Sequence, residues 1–323
     1  MSKKEKKEKN LFILISNTYT GSNELPGVRQ DRKNIIKAFG WNESDYIRLF
    51  TERYLPVQFG KSTRLDTNKN TRFCLLTNCS KKELIININK IKEKYVYSSI
   101  ILCISGHGMN SYGLISFLTY DNKFIQLSEI VQEFNTDELL NLTILLDMCR
   151  TGNYIDERAS YQLLSNIIGK RVAIMTAGWR GQIASDTVNG GYLVQALVKS
   201  INDNYDQFIK GLLSFKYTLN LLTDIISDYL TIRLEGGFKN LSVRKWINII
   251  SSNSKNPKLL KVKKDICKIL PSMYLNSEAR KYLEKYPRKL VQIKSILKTL
   301  CRDYNDIKLS IAAGKVEPTK MKI

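Results

Sequence analysis

The chain has 323 residues, of which 43% are hydrophobic and 25% are charged, which is the composition of an ordinary globular protein. This composition excludes a fibrous or wholly disordered protein, and no run approaches the roughly 18 uninterrupted apolar residues that a membrane-spanning helix needs. The formal net charge of +21 favours acidic partners, so nucleic-acid binding is the main alternative to an enzymatic role.

The predicted ordered part of the chain begins at residue 11. Residues 1–10 are an alternating Lys/Glu run with almost no apolar content, so we expect a disordered tail. The apolar, β-branched run at 11–16 predicts a strand that is buried on both faces of a parallel sheet. Residues 31–39 carry apolar side chains on one helical face and predict the first helix, with Gly40 as its C-terminal cap.

Strands and helices alternate along most of the remaining chain. Further strands are predicted at 46–50, 99–104, 142–146, 171–176 and 246–250, and further helices at 80–91, 128–134 and 191–201. This alternation predicts an α/β domain over 11–258, in which a mostly parallel six-stranded sheet is flanked by helices and the functional loops follow the carboxyl ends of strands. Beyond residue 258 the apolar residues recur with helical spacing, which predicts a helical C-terminal extension over 259–323.

The six cysteines show no C-x-x-C pair and no regular spacing. They favour free thiols in a reducing compartment, and the N-terminal run lacks the apolar core of a signal peptide, so we expect a cytoplasmic protein with no membrane association. A single histidine and no close cysteine pair leave too few ligands for structural zinc, so no metal site is predicted.

Two predicted strands end in residues that suit nucleophilic catalysis. A cysteine nucleophile needs a base to remove its proton, and imidazole is the usual one. His107 is the only histidine and lies in Ser-Gly-His-Gly at 105–108, directly after a buried strand. Cys149 follows the next predicted strand, in Asp-Met-Cys-Arg-Thr-Gly at 147–152. Because neighbouring parallel strands end at the same edge of a sheet, we expect a Cys149–His107 dyad at this edge.

These two segments resemble the histidine and cysteine loops of the caspase-like cysteine peptidases, the clan of caspases, metacaspases and paracaspases. Cys149 lies 42 residues after His107, near the roughly fifty noted for caspases. The segment Leu-Pro-Gly-Val-Arg-Gln-Asp at 25–31 is similar to the acidic element that opens the first helix of metacaspases and paracaspases. The order Asp-Met-Cys-Arg is closest to paracaspases, and the His-Ser-Gly that commonly follows the metacaspase cysteine is absent. The resemblance covers residues 11–258 and implies the caspase-like three-layer sandwich.

The resemblance also implies catalytic roles. Cys149 would attack the scissile carbonyl of a peptide bond, and His107 would move the protons. The backbone N–H groups of Gly108 and Cys149 would form the oxyanion hole. The chain would then be a cysteine endopeptidase that carries out limited, regulatory proteolysis.

Substrate preference follows from the acids that match the family's pocket. Caspases that cut after aspartate carry an arginine where this chain has Leu25, whereas Asp31 and Asp147 match pocket carboxylates of metacaspases and paracaspases. Asp186 matches a third pocket acid of paracaspases. Buried carboxylates need a cationic partner, so the expected substrates are proteins that are cleaved after Arg or Lys. The structural alternative makes Asp31 a helix N-terminal carboxylate, Asp147 a hydrogen-bonding loop acid and Asp186 a surface residue.

Other interpretations stay open at this point. A catalytically latent caspase-fold scaffold would bind acidic partners or nucleic acid through its basic surface. Arg158 or the pair Lys170 and Arg171 would be self-processing sites beyond the cysteine loop. Calcium dependence would need an acidic cluster, and only Asp156 and Glu157 offer one, so no cofactor is predicted.

Overall fold

The structure is a computed structural model. It describes residues 9–38, 71–94, 96–111, 114–149, 169–177, 187–203 and 272–285, together with positions 205, 231–232, 241–242, 245, 248–249 and 252. Its strands are β1 (Lys9–Ser16), β2 (Thr71–Thr77), β3 (Tyr97–Gly106), β4 (Gly108–Ser111), β5 (Leu114–Leu118), β6 (Phe124–Gln126), β7 (Asn141–Met148), β8 (Arg171–Thr176), β9 (Thr231–Ile232), β10 (Leu241–Ser242) and β11 (Ser272–Leu275). Its helices are α1 (Pro26–Ala38), α2 (Lys81–Lys94), α3 (Leu127–Glu133), α4 (Tyr192–Asp203) and α5 (Ser277–Glu284).

The main sheet contains six strands of the described ranges, in the order β11-β8-β7-β3-β1-β2. The five strands from β8 to β2 are parallel to their neighbours, and β11 pairs antiparallel with β8 at one edge. The predicted α/β architecture with a mostly parallel six-stranded sheet flanked by helices is therefore confirmed. Since parallel strands share one direction, the carboxyl ends of β1, β3 and β7 lie along the same edge of the sheet.

Helices cover both faces of this sheet. On one face, α1 packs against α4 and against β1 and β3. On the other face, Leu84 and Ile88 of α2 join a core cluster with Leu11, Ile13 and Ile15 of β1. Residues 11–15 are all fully buried, which is why β1 is apolar without alternation. The capping box predicted for α2 is present, because Ser80 N–H donates to Glu83 Oε2 at 2.8 Å and Glu83 N–H donates to Ser80 Oγ at 3.3 Å.

Two smaller sheets accompany the main one. Strands β4, β5 and β6 form an antiparallel sheet directly after the His107 loop, and β9 pairs with β10. The sequence did not predict the first of these sheets, because its strands are short and mix polar and apolar residues. No helix of the described ranges is both long and apolar enough to cross a membrane.

The strands predicted at 246–250 and 46–50 are not among the six strands of the main sheet that the structure describes. The prediction of a sixth strand at 246–250 was wrong where it can be tested, because Asn248 and Ile249 are helical. A short apolar run has the same appearance in a strand and in a buried helix, so periodicity alone could not separate them. The sixth strand is Ser272–Leu275, inside the range for which a helical extension was predicted. The predicted strand at 46–50 lies outside the described residues, and β2 is the strand that pairs with β1.

Candidate active site

The histidine and cysteine loops meet at the carboxyl edge of the sheet. Strands β3 and β7 are parallel neighbours, and their register places Gly106 opposite Met148. His107 and Cys149 are the next residues on the two chains. The register therefore brings the two loops together at one edge of the sheet.

Gly108 makes the contact between these loops direct. A Cβ atom on Gly108 would lie 2.6 Å from Met148 Sδ and 2.8 Å from the Cys149 carbonyl oxygen. The methionine could move, but the carbonyl belongs to the backbone of the cysteine loop. Only glycine allows this approach, which accounts for the Ser-Gly-His-Gly sequence on one side of the site.

The His107 ring is oriented by a backbone carbonyl. Its Nε2 lies 2.9 Å from the carbonyl oxygen of Asn23, the last residue of a 3₁₀ turn (Gly21–Asn23). A carbonyl oxygen can only accept a hydrogen bond, so this contact assigns the proton to Nε2 and leaves Nδ1 as the acceptor of the ring. The sequence offered no signal for this partner, because it lies 84 residues away and acts through its main chain.

Tyr19 is a second neighbour of His107 that sequence reasoning missed. Its Oη accepts a hydrogen bond from His107 N–H at 3.0 Å and donates one to the Leu118 carbonyl at 2.6 Å. The Leu118 N–H donates to the His107 carbonyl at 3.0 Å. Both main-chain polar groups of His107 are therefore held by neighbouring elements.

The described cysteines differ in their access to solvent. Cys149 is partly exposed, whereas Cys74, Cys79 and Cys103 are buried, and all four are free thiols. Burial, together with the charge of Glu83, raises the pKa of Cys79 to about 12. Burial, with smaller contributions from Asp147 and Asp31, raises the pKa of Cys103 well above its ordinary value. Among these four residues, Cys149 has the accessibility that a nucleophile needs.

Asp31 and Asp147 are buried beside the same edge of the sheet. Asp31, only 1% exposed, accepts hydrogen bonds from Ser105 Oγ at 2.9 Å and from Gly191 N–H at 2.8 Å. Asp147, 6% exposed, accepts one from Val194 N–H at 2.8 Å, in the first turn of α4.

The two carboxylates share one packing partner. The Asp31 carboxylate occupies the space that a Cβ atom would need on Gly190, and the Asp147 carboxylate occupies that space at Gly191. The segment before α4 therefore packs directly on both carboxylates. Asp31 and Asp147, which the family resemblance assigns to one pocket, therefore pack against adjacent residues of the chain.

Other residues singled out in the sequence lie elsewhere. Asp186, Asp156, Glu157 and Arg158 are outside the described residues. Lys170 is buried with its Nζ bonded to the Asp137 carbonyl at 2.8 Å, and Arg171 begins β8, so self-processing after either residue stays a prediction that requires local opening of this strand. A peptidase could not bind this segment as an extended substrate while β8 stays in the sheet. Within the described ranges, no three His, Cys, Asp or Glu side chains are grouped to hold a metal ion.

The sheet thus carries a histidine and a cysteine just after the carboxyl ends of adjacent parallel strands, an arrangement that suits thiol chemistry. Comparison with known families gives the class of protein. The caspase-domain model of peptidase family C14 matches residues 9–228, so the chain belongs to this family, whose members are cysteine-type peptidases. Among solved structures the chain is similar to caspase-1 from Spodoptera frugiperda, with a TM-score of 0.44 and 11% sequence identity over 83% of this chain and 89% of that one. No curated protein matches the sequence.

Proposed function

We propose that the chain is a cysteine endopeptidase that cleaves proteins after Arg or Lys, with Cys149 as nucleophile and His107 as its base. One observation carries the proposal. Support comes from the β3–β7 register and the close approach of Gly108 to the Cys149 backbone, because the loop with the chain's single histidine lies beside the loop with the one described cysteine that is partly exposed.

The tautomer of His107 suits proton transfer. With Nε2–H bonded to Asn23, Nδ1 can take the thiol proton, and the thiolate then attacks the scissile carbonyl carbon. His107 next gives that proton to the leaving amine as the C–N bond breaks. Water hydrolyses the resulting thioester and regenerates the thiol. Because the Nε2–H bond is kept in both protonation states, the ring need not turn during the cycle.

The oxyanion of the tetrahedral intermediate needs backbone donors at the same place. We assign this role to the N–H groups of Gly108 and Cys149, following the family. Support comes from the close approach of Gly108 to the Cys149 backbone, which brings the two loops together. Donors of this kind are typically worth about 3–4 kcal/mol of transition-state stabilisation.

The preference for a basic residue rests on Asp31 and Asp147. Two buried carboxylates at the edge of the site would attract a guanidinium or an ammonium group, and Asp186 is proposed as a third acid. Hydrogen bonds from Ser105, Gly191 and Val194 would keep the two described acids in place in the absence of substrate.

Several finer assignments accompany the proposal. The Asp-Met-Cys-Arg sequence at 147–150 supports a paracaspase-like subtype. The free thiols of the four described cysteines are compatible with action in the cytoplasm, and no cofactor is required by this chemistry.

The test is hydrolysis of fluorogenic peptides that differ only in an Arg, Lys or Asp before the cleaved bond, with and without calcium. Cys149→Ala removes the nucleophile, and Cys74→Ala is its matched control because Cys74 is a buried thiol on β2. We expect Arg and Lys cleavage that is lost in Cys149→Ala and kept in Cys74→Ala. Cleavage after Asp would keep the dyad and overturn the acidic pocket. If no peptide is cleaved at any protein concentration, the peptidase proposal fails and the latent scaffold replaces it.

A further inference from the structure

Tyr19 connects the end of β1 to the His107 loop through a buried hydroxyl group. The residue is 4% exposed, and its ring centroid lies 4.7 Å from that of the His107 imidazole. Its Oη accepts from His107 N–H at 3.0 Å and donates to the Leu118 carbonyl at 2.6 Å. One side chain therefore contacts the ring of His107, its main chain and the strand that pairs beside it.

The backbone at Tyr19 is held in an uncommon conformation. Its φ angle is 59°, in the left-handed region that bulky residues seldom adopt. The two residues before Tyr19 are held by hydrogen bonds, since Asn17 N–H donates to the Ser105 carbonyl and the Thr18 carbonyl accepts from Leu25 N–H. Such a conformation persists only where the surroundings enforce it, and it concentrates at functional sites. Here it turns the phenol ring toward His107.

The hydroxyl group is held in its protonated form. Burial raises the pKa of Tyr19 above its ordinary value and outweighs the hydrogen bonds that lower it. Near neutral pH the Oη can therefore donate to the Leu118 carbonyl while it accepts from the His107 N–H. The pair of bonds fixes the distance between the histidine loop and the end of β5.

We infer that Tyr19 is a positioning residue, which holds the main chain and the ring of His107 in the orientation that proton exchange with Cys149 requires. The inference rests on the proposed function. Without the hydroxyl group, His107 N–H loses its acceptor, and of the two main-chain hydrogen bonds of His107 only the one to its carbonyl remains. The imidazole then samples orientations in which Nε2 no longer meets the Asn23 carbonyl, and proton exchange with Cys149 slows.

The kinetic test compares Tyr19→Phe with Thr18→Val. Each variant removes one buried hydroxyl group from adjacent residues, but the Thr18 hydroxyl donates to Asn78 Oδ1 at 3.3 Å and not to the His107 loop, so it serves as the control. We expect Tyr19→Phe to lower kcat roughly tenfold to hundredfold with KM within about twofold, because the buried phenol acts on proton transfer and not on substrate binding. Thr18→Val should keep kcat within about twofold of wild type at a comparable loss of thermal stability. Equal loss of kcat in both variants, or loss in neither, would overturn the inference.

A spectroscopic test separates this inference from the peptidase proposal. The chain has one histidine, so ¹⁵N-histidine labelling gives a single imidazole whose nitrogen shifts report its tautomer. We expect the Nε2–H tautomer in wild type and Thr18→Val, and a mixture of tautomers in Tyr19→Phe. The same tautomer in all three proteins would overturn the positioning role whether or not the chain cleaves peptides. If wild type cleaves no peptide but the tautomer changes in Tyr19→Phe, the peptidase proposal is contradicted and the positioning role of Tyr19 is not.

Discussion

Asp147 offers a quantitative test because its two roles can be separated. One of its oxygens accepts a hydrogen bond that stabilises the fold, and its negative charge is proposed to bind a cationic substrate side chain. Its Oδ2 accepts the N–H of Val194, the third residue of α4, at 2.8 Å. Asp147→Ala leaves this N–H buried without that acceptor, which costs about 1–3 kcal/mol. Removal of the negative charge near the start of the helix adds about 0.3–1 kcal/mol. We therefore expect a loss of about 1–4 kcal/mol in the free energy of unfolding.

Asp147→Asn separates the hydrogen bond from the charge. The amide keeps an oxygen that can accept from Val194, so its loss of stability should be smaller than that of Asp147→Ala by about 1–2 kcal/mol. Asp137→Ala is the control, because it removes a carboxylate from an exposed loop and should change stability by less than about 0.5 kcal/mol. Urea unfolding monitored by circular dichroism measures all three variants. Equal stabilities of the Asn and Ala variants would refute the reasoning about the helix N-terminus.

The same variants test the pocket. Arginine and citrulline side chains have nearly the same shape, but only arginine is charged. If Asp147 binds a cation, Asp147→Asn should lower kcat/KM for an arginine peptide by about tenfold to hundredfold, the value of one charge-assisted hydrogen bond. The citrulline peptide should change much less. An unchanged ratio of arginine to citrulline cleavage would refute the role of Asp147 in specificity and leave it a structural residue.

Two further predictions concern thiol reactivity and pH. With iodoacetamide near neutral pH, Cys149 should be alkylated much faster than Cys79, because the Cys79 pKa of about 12 leaves almost no thiolate. Peptide mass spectrometry measures both rates. Faster alkylation of Cys79 would contradict its burial. For Asp121, slight burial works to raise the pKa, but hydrogen bonds from Thr119, Lys81 N–H and Lys123 lower it from 3.8 to about 2. Because the folded pKa is depressed, its stabilisation is present above pH 3.8 and is lost as the pH falls toward 2. The urea midpoint should therefore fall less steeply over this range in Asp121→Asn than in wild type, and parallel curves would contradict the prediction.

Local sequence predicted most of the central sheet. The runs that became β1, β3, β7 and β8 are mostly apolar, and burial on both faces of a parallel sheet favours that pattern. The edge strand β11 was missed because an edge position imposes a weaker pattern, and its pairing with β8 is a tertiary contact. The small sheet after His107 was missed for a related reason, since its pairing depends on turns and not on a long apolar run.

For the active site, the sequence by itself determined which residues could perform the chemistry. One histidine and one cysteine each follow a buried strand, and chain connectivity alone makes those strand ends candidates. Only the tertiary structure decided that β3 and β7 are neighbours, that Asn23 and Tyr19 hold His107, and that α4 begins on Asp147. The physical reason is that these contacts join residues 42 to 88 positions apart through backbone atoms and single hydroxyl groups, which leave no periodic pattern in the chain.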